Sequence, residues 1–228
     1  MYNIFIPKRI AVIIVFIFPL FLIVSCDTTE TNNGTLSLSF SSGSSSQKVT
    51  ADILTLETVK ILLRDVKIKQ QSGDDSLDIE LGPFVVSLNL EGMTTDFVVS
   101  DIPPGSYDRV RFRVHKLGGS ETPPDPEFRD GSDGSRYSVI VKGNINSIPF
   151  IYKSRESADQ ELQLVTPLEI GKSESANLTI TVDPYTWFYN EGILLDPTDP
   201  ANESDIDNNI ENSFEKCFED NNHDGLVD

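Results

Sequence analysis

The sequence predicts an all-β fold, an antiparallel immunoglobulin-like or prealbumin-like β-sandwich with one C-terminal helix. Three observations predict it: apolar and polar residues alternate in many short segments, turn residues separate these segments, and no long helical period occurs before residue 183. Alternation with a period of two places apolar side chains on one face of a strand, and that face is buried against another layer. Many short strands of this kind are typical of a sandwich.

The first 25 residues have the composition of a signal peptide. Lys8 and Arg9 are followed by the apolar run 10–24 and then by Ser25, which is the order of charged, apolar and small residues that a secretory signal shows. As a helix, the run 10–24 would reach only about 22 Å at about 1.5 Å per residue, against about 30 Å for the hydrocarbon core of a membrane. We therefore predict that residues 1–25 are removed on export, with a short, tilted membrane anchor as the alternative.

The residues around the cut predict a lipid anchor. Leu22, Ile23, Val24 and Ser25 precede Cys26, and this segment resembles the lipobox of bacterial lipoproteins. The resemblance implies that Cys26 becomes the first residue of the mature chain and carries several acyl chains, palmitate among them, each buried methylene contributing about 0.8 kcal/mol. The alternative is a free buried cysteine that happens to follow a signal peptide.

The expected location is the bacterial cell envelope, in the outer membrane, facing the periplasm or the cell surface. The alternative is the inner membrane, where some enterobacterial lipoproteins with an aspartate after the lipidated cysteine are retained, and Asp27 stands at that position. Residues 26–34 are polar, without an apolar period, and we interpret them as a lipidated tether between the membrane and the folded domain. Membrane binding is thus expected through the lipid rather than through the protein surface.

Charge and cysteine content narrow the function classes. The formal net charge is −18, and loss of Lys8 and Arg9 with the signal peptide takes it to −20. Such a charge repels phosphates, so nucleic acid is excluded as a partner. The acidity is compatible with divalent cations, with basic partners or simply with solubility. After Cys26 only Cys217 remains, so the mature chain has no intrachain disulfide.

The predicted β-domain covers residues 35–183. Its first strands alternate strictly, except that the pattern slips by one step near Arg64 and Asp65, which predicts a bulge or bend there. A Ser/Gly-rich loop reaches Ser46, and the segment 73–75 is a predicted turn. The alternating apolar positions are Leu36, Leu38 and Phe40, then Val59, Ile61 and Leu63, then Val66 and Ile68, and then Leu77, Ile79 and Leu81.

The best alternation lies after a Pro-Pro-Gly turn at 102–105. There Val110, Phe112 and Val114 alternate with three arginines, so one face of the strand is apolar and the other is charged. The segment 118–134 is rich in Pro, Gly and Asp and is predicted to be a long mobile loop. The other predicted strands are 84–90, 97–99, 137–141, 148–152, 162–165 and 178–182.

Residues 184–228 are predicted to form an aromatic segment, a helix and an acidic tail. Ile206, Ile210, Phe214 and Phe218 recur every four residues, which predicts one apolar stripe on a helix, and Asn202 or Ser204 would cap it. We expect this helix to pack on the sandwich rather than to form a second domain.

Three segments together resemble the bacterial lipoprotein family catalogued as domain of unknown function four-three-eight-two. They are the opening 34–39, the strand 59–68 and above all the turn and strand 102–112, with the sequence IPPGSYDRVRF. The resemblance covers roughly residues 34–182, and it departs from the family where 41–43 replace the usual Asp-Ala-Pro. It implies a β-sandwich at an envelope surface and brings no catalytic residues.

The acidic tail carries a calcium-loop pattern. Asp220, Asn222 and Asp224 supply oxygen ligands at positions 1, 3 and 5, a glycine follows at position 6, and Asp228 stands at position 9. The segment resembles half of an EF-hand, or the shorter aspartate-rich repeats of thrombospondin-type proteins, so calcium is the predicted cofactor. Position 12, where EF-hands place a bidentate glutamate, would fall beyond Asp228. The alternative is an acidic tail in which Gly225 merely ends a helix.

We expect a non-catalytic envelope module that binds an envelope protein or a polysaccharide, with Tyr185, Trp187 and Tyr189 and the loop 118–134 as possible contacts. The alternative for these aromatic residues is packing between helix and sheet. A second hypothesis is a calcium-binding assembly or adhesion component. A glycan-acting enzyme is least favoured, because His115 and His223 are the only histidines and no nucleophile with its base is recognisable.

Overall fold

The computed structural model describes residues 33–43, 53–71, 79–130 and 134–228. The predicted signal peptide, Cys26, most of the tether and the predicted turn at 73–75 lie outside the described residues. These described residues belong to one compact unit. Among the described residues, no helix is long and apolar enough to cross a membrane.

The described part of the chain is mostly β-structure, which confirms the prediction of an all-β fold. Short 3-10 helices occur at Pro126–Phe128, Thr186–Phe188 and Pro200–Asn202. The strands and the helix are, in chain order, β1 (Gly34–Ser41), β2 (Leu54–Gln70), β3 (Ile79–Leu81), β4 (Phe84–Ser87), β5 (Thr94–Ile102), β6 (Gly105–Val114), β7 (Val139–Ile145), β8 (Ile148–Ser154), β9 (Ala158–Ile170), β10 (Ser175–Val182), β11 (Tyr189–Asn190), β12 (Ile193–Leu194), α1 (Glu203–Glu211) and β13 (Phe214–Glu219).

The strands form one mixed, curled sheet in the order β5-β1-β10-β13-β9-β6-β2-β7-β8, with β3 and β4 also paired to β2, while β11 and β12 form a separate hairpin. Most pairs are antiparallel, but β1 runs parallel to β10, and β13 meets β9 in parallel at Cys217 and Leu164. The prediction of a purely antiparallel arrangement is therefore wrong. The chain passes through β2–β9 between β1 and β10, so no hairpin fixes their relative direction.

The long strand β2 makes the sheet curl. β7 pairs with its first half and β6 with its second half. Leu62 donates its N–H to Ser138 O at 2.8 Å and accepts from His115 N at 3.2 Å. Because both groups of one strand residue point to the same side, β6 and β7 occupy successive parts of one edge of β2. Asp65 has φ 50° and the register shifts beside it, which confirms the predicted bend.

The main core lies on the face of the sheet that carries the alternating apolar residues. Phe40 of β1, Phe112 of β6 and Phe214 of β13 are buried there and contact one another edge to face, with ring centroids 5.3 to 6.2 Å apart. Burial of one such side chain contributes about 1.5–3 kcal/mol. Three strands that are remote in sequence are therefore joined by one aromatic cluster.

A second, smaller core lies on the opposite face of β2 and β7. It consists of Leu62, Leu117, Phe128, Tyr137 and Ile140. The described part of the predicted loop 118–134 covers this face, and Phe128 is only 2% exposed. The segment has little regular structure, as predicted, but its described part packs on the sheet instead of extending away from it.

The C-terminal segment differs from its prediction. α1 ends at Glu211, and Phe214 and Phe218 belong to β13, which lies between β10 and β9. Of the four apolar residues with helical spacing, only Ile206 and Ile210 lie in the helix. For Phe214 and Phe218, pairing with the edges of β10 and β9 overrides the weak local helix propensity. The sheet thus extends beyond the predicted domain boundary at residue 183.

Candidate functional site

The tail loop, residues 220–228, is organised around one buried carboxylate. Asp220 follows β13 and is fully buried. Its Oδ1 accepts a hydrogen bond from Asp224 N at 3.0 Å, and its Oδ2 accepts from Gly225 N at 3.0 Å and from Thr179 Oγ1 at 2.7 Å. A carboxylate with several donors compensates the cost of its own burial. Asp220 therefore holds the loop in its turn and ties the turn to β10.

The other predicted calcium ligands lie in the same turn. Asn222 Oδ1 accepts from Asp224 N at 2.9 Å, and Asp224 Oδ1 accepts from Leu226 N at 2.9 Å. Gly225 has φ 79°, a backbone conformation that favours glycine. Asp228 accepts a hydrogen bond from Asn221 N. The structure thus brings Asp220, Asn222 and Asp224 into one tight loop, with Asp228 closing it.

This loop has the turn at the glycine that calcium loops need, but its carboxylate and amide oxygens already accept hydrogen bonds from the protein. Within the described ranges, no group of three or more His, Cys, Asp or Glu side chains is placed so that it could hold a metal ion. What the geometry shows directly is a structural role for Asp220.

Beneath the tail loop lies a buried polar layer that the sequence analysis missed. Asn177 Oδ1 accepts from Ser39 Oγ at 2.7 Å and from Ser37 Oγ at 2.8 Å, and Asn177 Nδ2 donates to Asp220 O at 2.9 Å. Ser39 and Thr179 are fully buried. The tail loop contacts this layer through Asp220 and Asn221.

The three aromatic residues predicted to contact a partner differ in burial. Trp187 is fully buried, and Tyr185 and Tyr189 are partly buried against the main core. Asn209 of α1 donates to Trp187 O at 3.0 Å and to Tyr189 O at 2.9 Å. Packing between helix and sheet therefore describes Trp187, and its ring offers no surface for stacking in this conformation. No described residue supplies a hydrogen-bond partner for the buried Nε1 of Trp187.

A buried pair of titratable groups joins α1 to β8. The Tyr152 hydroxyl donates to Asp207 Oδ1 at 2.7 Å, and both side chains are buried. Burial raises the pKa of Asp207, and the hydrogen bond from Tyr152 opposes this shift. Burial, followed by the adjacent Asp207, raises the pKa of Tyr152. The pKa of each group is therefore above its ordinary value, and the pair fixes the helix on the sheet.

One serine lies against a histidine. Ser157 Oγ and His115 Nδ1 form a short hydrogen bond. Burial lowers the pKa of His115, and the positive charges of Arg113, Arg64 and Lys116 lower it further, so the imidazole is neutral at pH 7. A hydroxyl that is hydrogen-bonded to a neutral imidazole is the pair of nucleophile and base from which many catalytic sites are built. A third group that orients the base completes such a site, and no carboxylate of the described residues is hydrogen-bonded to this ring.

The outer face of β7 and β8 carries a groove of about 370 Å³. Ile140 and Ile151 form part of its floor, and Lys142 and Lys153 stand along it. Lys142 is paired with Glu127 at 2.7 Å, and Lys153 is paired with Asp130 at 3.1 Å. The two lysines of this groove are thus neutralised within the protein, and Arg129, which also lines it, donates to the backbone carbonyls of Gly118 and Glu121.

Comparison with known proteins adds no assignment to these sites. No family model, no curated protein and no solved structure matches the chain.

Proposed function

We propose that the chain is a lipid-anchored bacterial envelope protein whose β-domain is a non-catalytic binding or structural module. The observation that carries the proposal is the distance along the chain between Cys26 and the sheet. β1 begins at Gly34, the last residue of the predicted tether. The segment 27–33 spans at most about 25 Å when fully extended, so lipid on Cys26 holds the domain close to the membrane surface.

The predicted partners are an envelope protein or a polysaccharide, and the predicted place is the outer membrane, facing the periplasm or the cell surface. That the domain is an immunoglobulin-like or prealbumin-like sandwich stays a prediction. The partly exposed residues Tyr185 and Tyr189 remain available to a partner.

Metabolic labelling with an alkyne analogue of palmitate in a bacterial host tests the anchor. We expect the full chain to be labelled and to sediment with membranes, and Cys26→Ala to lose both properties. Cys217→Ala is the matched control, since these are the two cysteines of the chain. Cys217 is fully buried in β13, and burial raises its pKa to about 12, so its thiol is unreactive. Label that persists in Cys26→Ala, or is absent from the unaltered chain, contradicts the proposal.

A second candidate function is calcium-dependent stiffening of the tail, in an assembly or adhesion component. The observation that favours it is the tight turn of Asp220, Asn222, Asp224 and Gly225, in which three oxygen-bearing side chains surround one loop. Hard oxygen ligands of this kind suit calcium. The site would be weak, because calcium would compete with the backbone donors that these oxygens already bind.

Thermal unfolding in millimolar calcium and in chelator tests this candidate. Asp220→Ala is uninformative on its own, since its carboxylate also binds Thr179 and the loop backbone. Asp224→Asn keeps the acceptor for Leu226 N and removes the charge. We expect calcium to raise Tm in the full chain and in the control Asp205→Asn, an exposed position of α1, but not in Asp224→Asn. A Tm that calcium leaves unchanged in all three proteins excludes calcium.

A further inference from the structure

Basic residues are unevenly distributed over the sheet. β2 carries four Lys or Arg residues and β6 carries three. β1, β5, β9 and β10 carry none. The chain as a whole has a formal charge of −18. Positive charge in this acidic protein is therefore concentrated on the part of the sheet formed by β2, β6 and their neighbours.

Most of these cations are paired with acids. Lys60 lies 2.6 Å from Asp125, and Arg113 lies 3.0 Å from Asp65. The first pair joins the segment after β6 to β2, the second joins β6 to β2, and both neutralise the charge of the cation. They leave little net attraction for a ligand from outside the protein.

One pocket is lined by cations that are not paired in this way. It has a volume of about 200 Å³ and lies beside the start of β7 and the end of β8, where Lys116, Arg136 and Arg155 line it together with Gly134 and Ser135. None of the three cations forms a salt bridge with a carboxylate of the described residues. Three like charges in one pocket repel one another, and this repulsion favours an anion bound between them.

Neutral acceptors hold these three side chains in place. Lys116 Nζ donates to Arg155 O at 2.8 Å, Arg136 Nη1 donates to Leu117 O at 2.6 Å, and Arg155 Nη2 donates to Ser135 Oγ at 3.2 Å. The Arg155 guanidinium also lies 5.6 Å from the centre of the Tyr137 ring. Each cation is thus oriented while it retains its charge and several unused donors.

The neighbouring histidine reports the same positive field. His115 precedes Lys116, and after burial the causes that lower its pKa are the charges of Arg113, Arg64 and Lys116. Lys116, which lines the pocket, is one of these charges, so the lowered pKa of His115 agrees with a positive potential beside the pocket.

We propose that this pocket, which we call the cationic pocket (Lys116, Arg136 and Arg155), binds a phosphate or sulfate group. Two guanidinium groups and an ammonium match the charge and the several acceptors of a tetrahedral oxyanion. A ligand that carries such a group, either the free anion or its ester on a sugar, fits the predicted role at an envelope surface. The inference rests on the proposed function for this role, because it names the ligand chemistry of the binding module.

The test is binding of inorganic phosphate to the full chain in a non-ionic detergent, measured by ³¹P NMR titration at constant ionic strength. We expect saturable binding that sulfate displaces and chloride does not. Arg155→Gln removes an exposed guanidinium and should weaken binding at least 10-fold, as expected for loss of a charge-assisted hydrogen bond. Arg136→Gln provides a second variant of the same pocket.

Lys142→Gln is the matched control, because it removes the same unit charge from a lysine that is paired with Glu127. It should change the affinity less than twofold. Phosphate that binds no better than chloride, or equal weakening in Lys142→Gln and Arg155→Gln, overturns the proposal. If glucose 6-phosphate binds more tightly than phosphate, the ligand is a phosphorylated sugar, and equal affinities identify the free anion.

The outcome is separable from that of the lipid anchor. Phosphate binding is read from the NMR signal, whereas acylation of Cys26 is read from the mass of the same purified protein. A chain that binds phosphate but carries no lipid supports the cationic pocket and contradicts the lipid anchor. A lipidated chain that does not bind phosphate supports the lipid anchor and overturns the cationic pocket.

Discussion

At the scale of single residues, Asp207 is the group whose protonation most directly concerns folding. Burial raises its pKa above the ordinary value of 3.8. Below that value the carboxyl is protonated in both folded and unfolded chains. As the pH rises through the raised pKa, the unfolded chain has already lost the proton, and the folded chain must accommodate a buried charge at a cost in free energy. The contribution of Asp207 to stability is therefore full at low pH and is lost as the pH rises.

Asp207→Asn removes this dependence, because the amide stays neutral and keeps an oxygen for the Tyr152 hydroxyl. We expect the difference in free energy of unfolding between the variant and the unaltered chain to move in favour of the variant between pH 3.5 and pH 7. Urea unfolding at both values measures it. Asp183, whose pKa burial also raises, is present in both proteins and cancels. A difference that is independent of pH contradicts the burial of the charge.

Tyr152→Phe tests the same contact from the other side. It removes the donor that lies 2.7 Å from Asp207 Oδ1, and we expect a loss of about 1–3 kcal/mol at neutral pH, because a buried acceptor is left without that partner. The loss should be smaller at low pH, where the carboxyl can donate a proton itself.

Some residues of the fold were predictable and others were not. Val110 and Phe112 were found because strict alternation after a Pro-Pro-Gly turn is a local signal, and both side chains are fully buried. The layer around Asn177 was not found. Its burial depends on the tail loop, which is more than 40 residues away in sequence, and no local pattern encodes such a contact.

At the scale of elements, two strands approach each other closely at Gly143 in β7. A Cβ built there would stand 2.1 Å from Thr55 O, a backbone atom of β2. The register between β2 and β7 shifts beside it, between Leu56 and Thr58. Glycine at this position therefore permits the two strands to pass closely where β2 bulges.

We expect Gly143→Ala to destabilise the protein by about 1–3 kcal/mol or more, because a backbone atom must move to admit the methyl group. Gly119→Ala is the control, since a methyl group on Gly119 would meet nothing within 4 Å and the φ of this residue is not in the left-handed region. The control should be neutral or stabilising by about 0.4–1 kcal/mol through the unfolded chain. Urea unfolding of both variants measures the contrast, and equal stabilities would argue against a tight crossing.

The element that sequence reasoning assigned to the wrong class is β13. Phe214 and Phe218 are spaced as on a helix, but Ser213 and Asn212 end α1 by bonding back to Ile210 O and Asn208 O. A six-residue strand carries too few alternations to outweigh a helical spacing read from the sequence. What decides its conformation is the pair of strand edges on β10 and β9, which exist only in the folded sheet.

At the scale of the whole molecule, β13 connects the two halves of the sheet. One of its edges pairs with β10 and the other meets β9, and Phe214 contacts Phe40 and Phe112 in the centre of the core. Removal of β13 therefore leaves two unpaired strand edges and a large apolar gap. Either defect alone costs several kcal/mol, which is comparable with the whole stability of a domain.

We therefore expect a chain that ends at residue 212 to be unfolded or aggregated, and a chain that ends at residue 220 to fold with reduced stability. The second chain keeps β13 and Asp220, and it loses residues 221–228 with their hydrogen bonds to Asn177 of β10 and Thr94 of β5. Near-UV circular dichroism and size-exclusion chromatography distinguish these states. If the chain ending at 212 is compact and retains its near-UV signal, β9 and β10 can pair without β13. The C-terminal strand would then be an addition to the sheet, and the two halves of the core would hold together without Phe214.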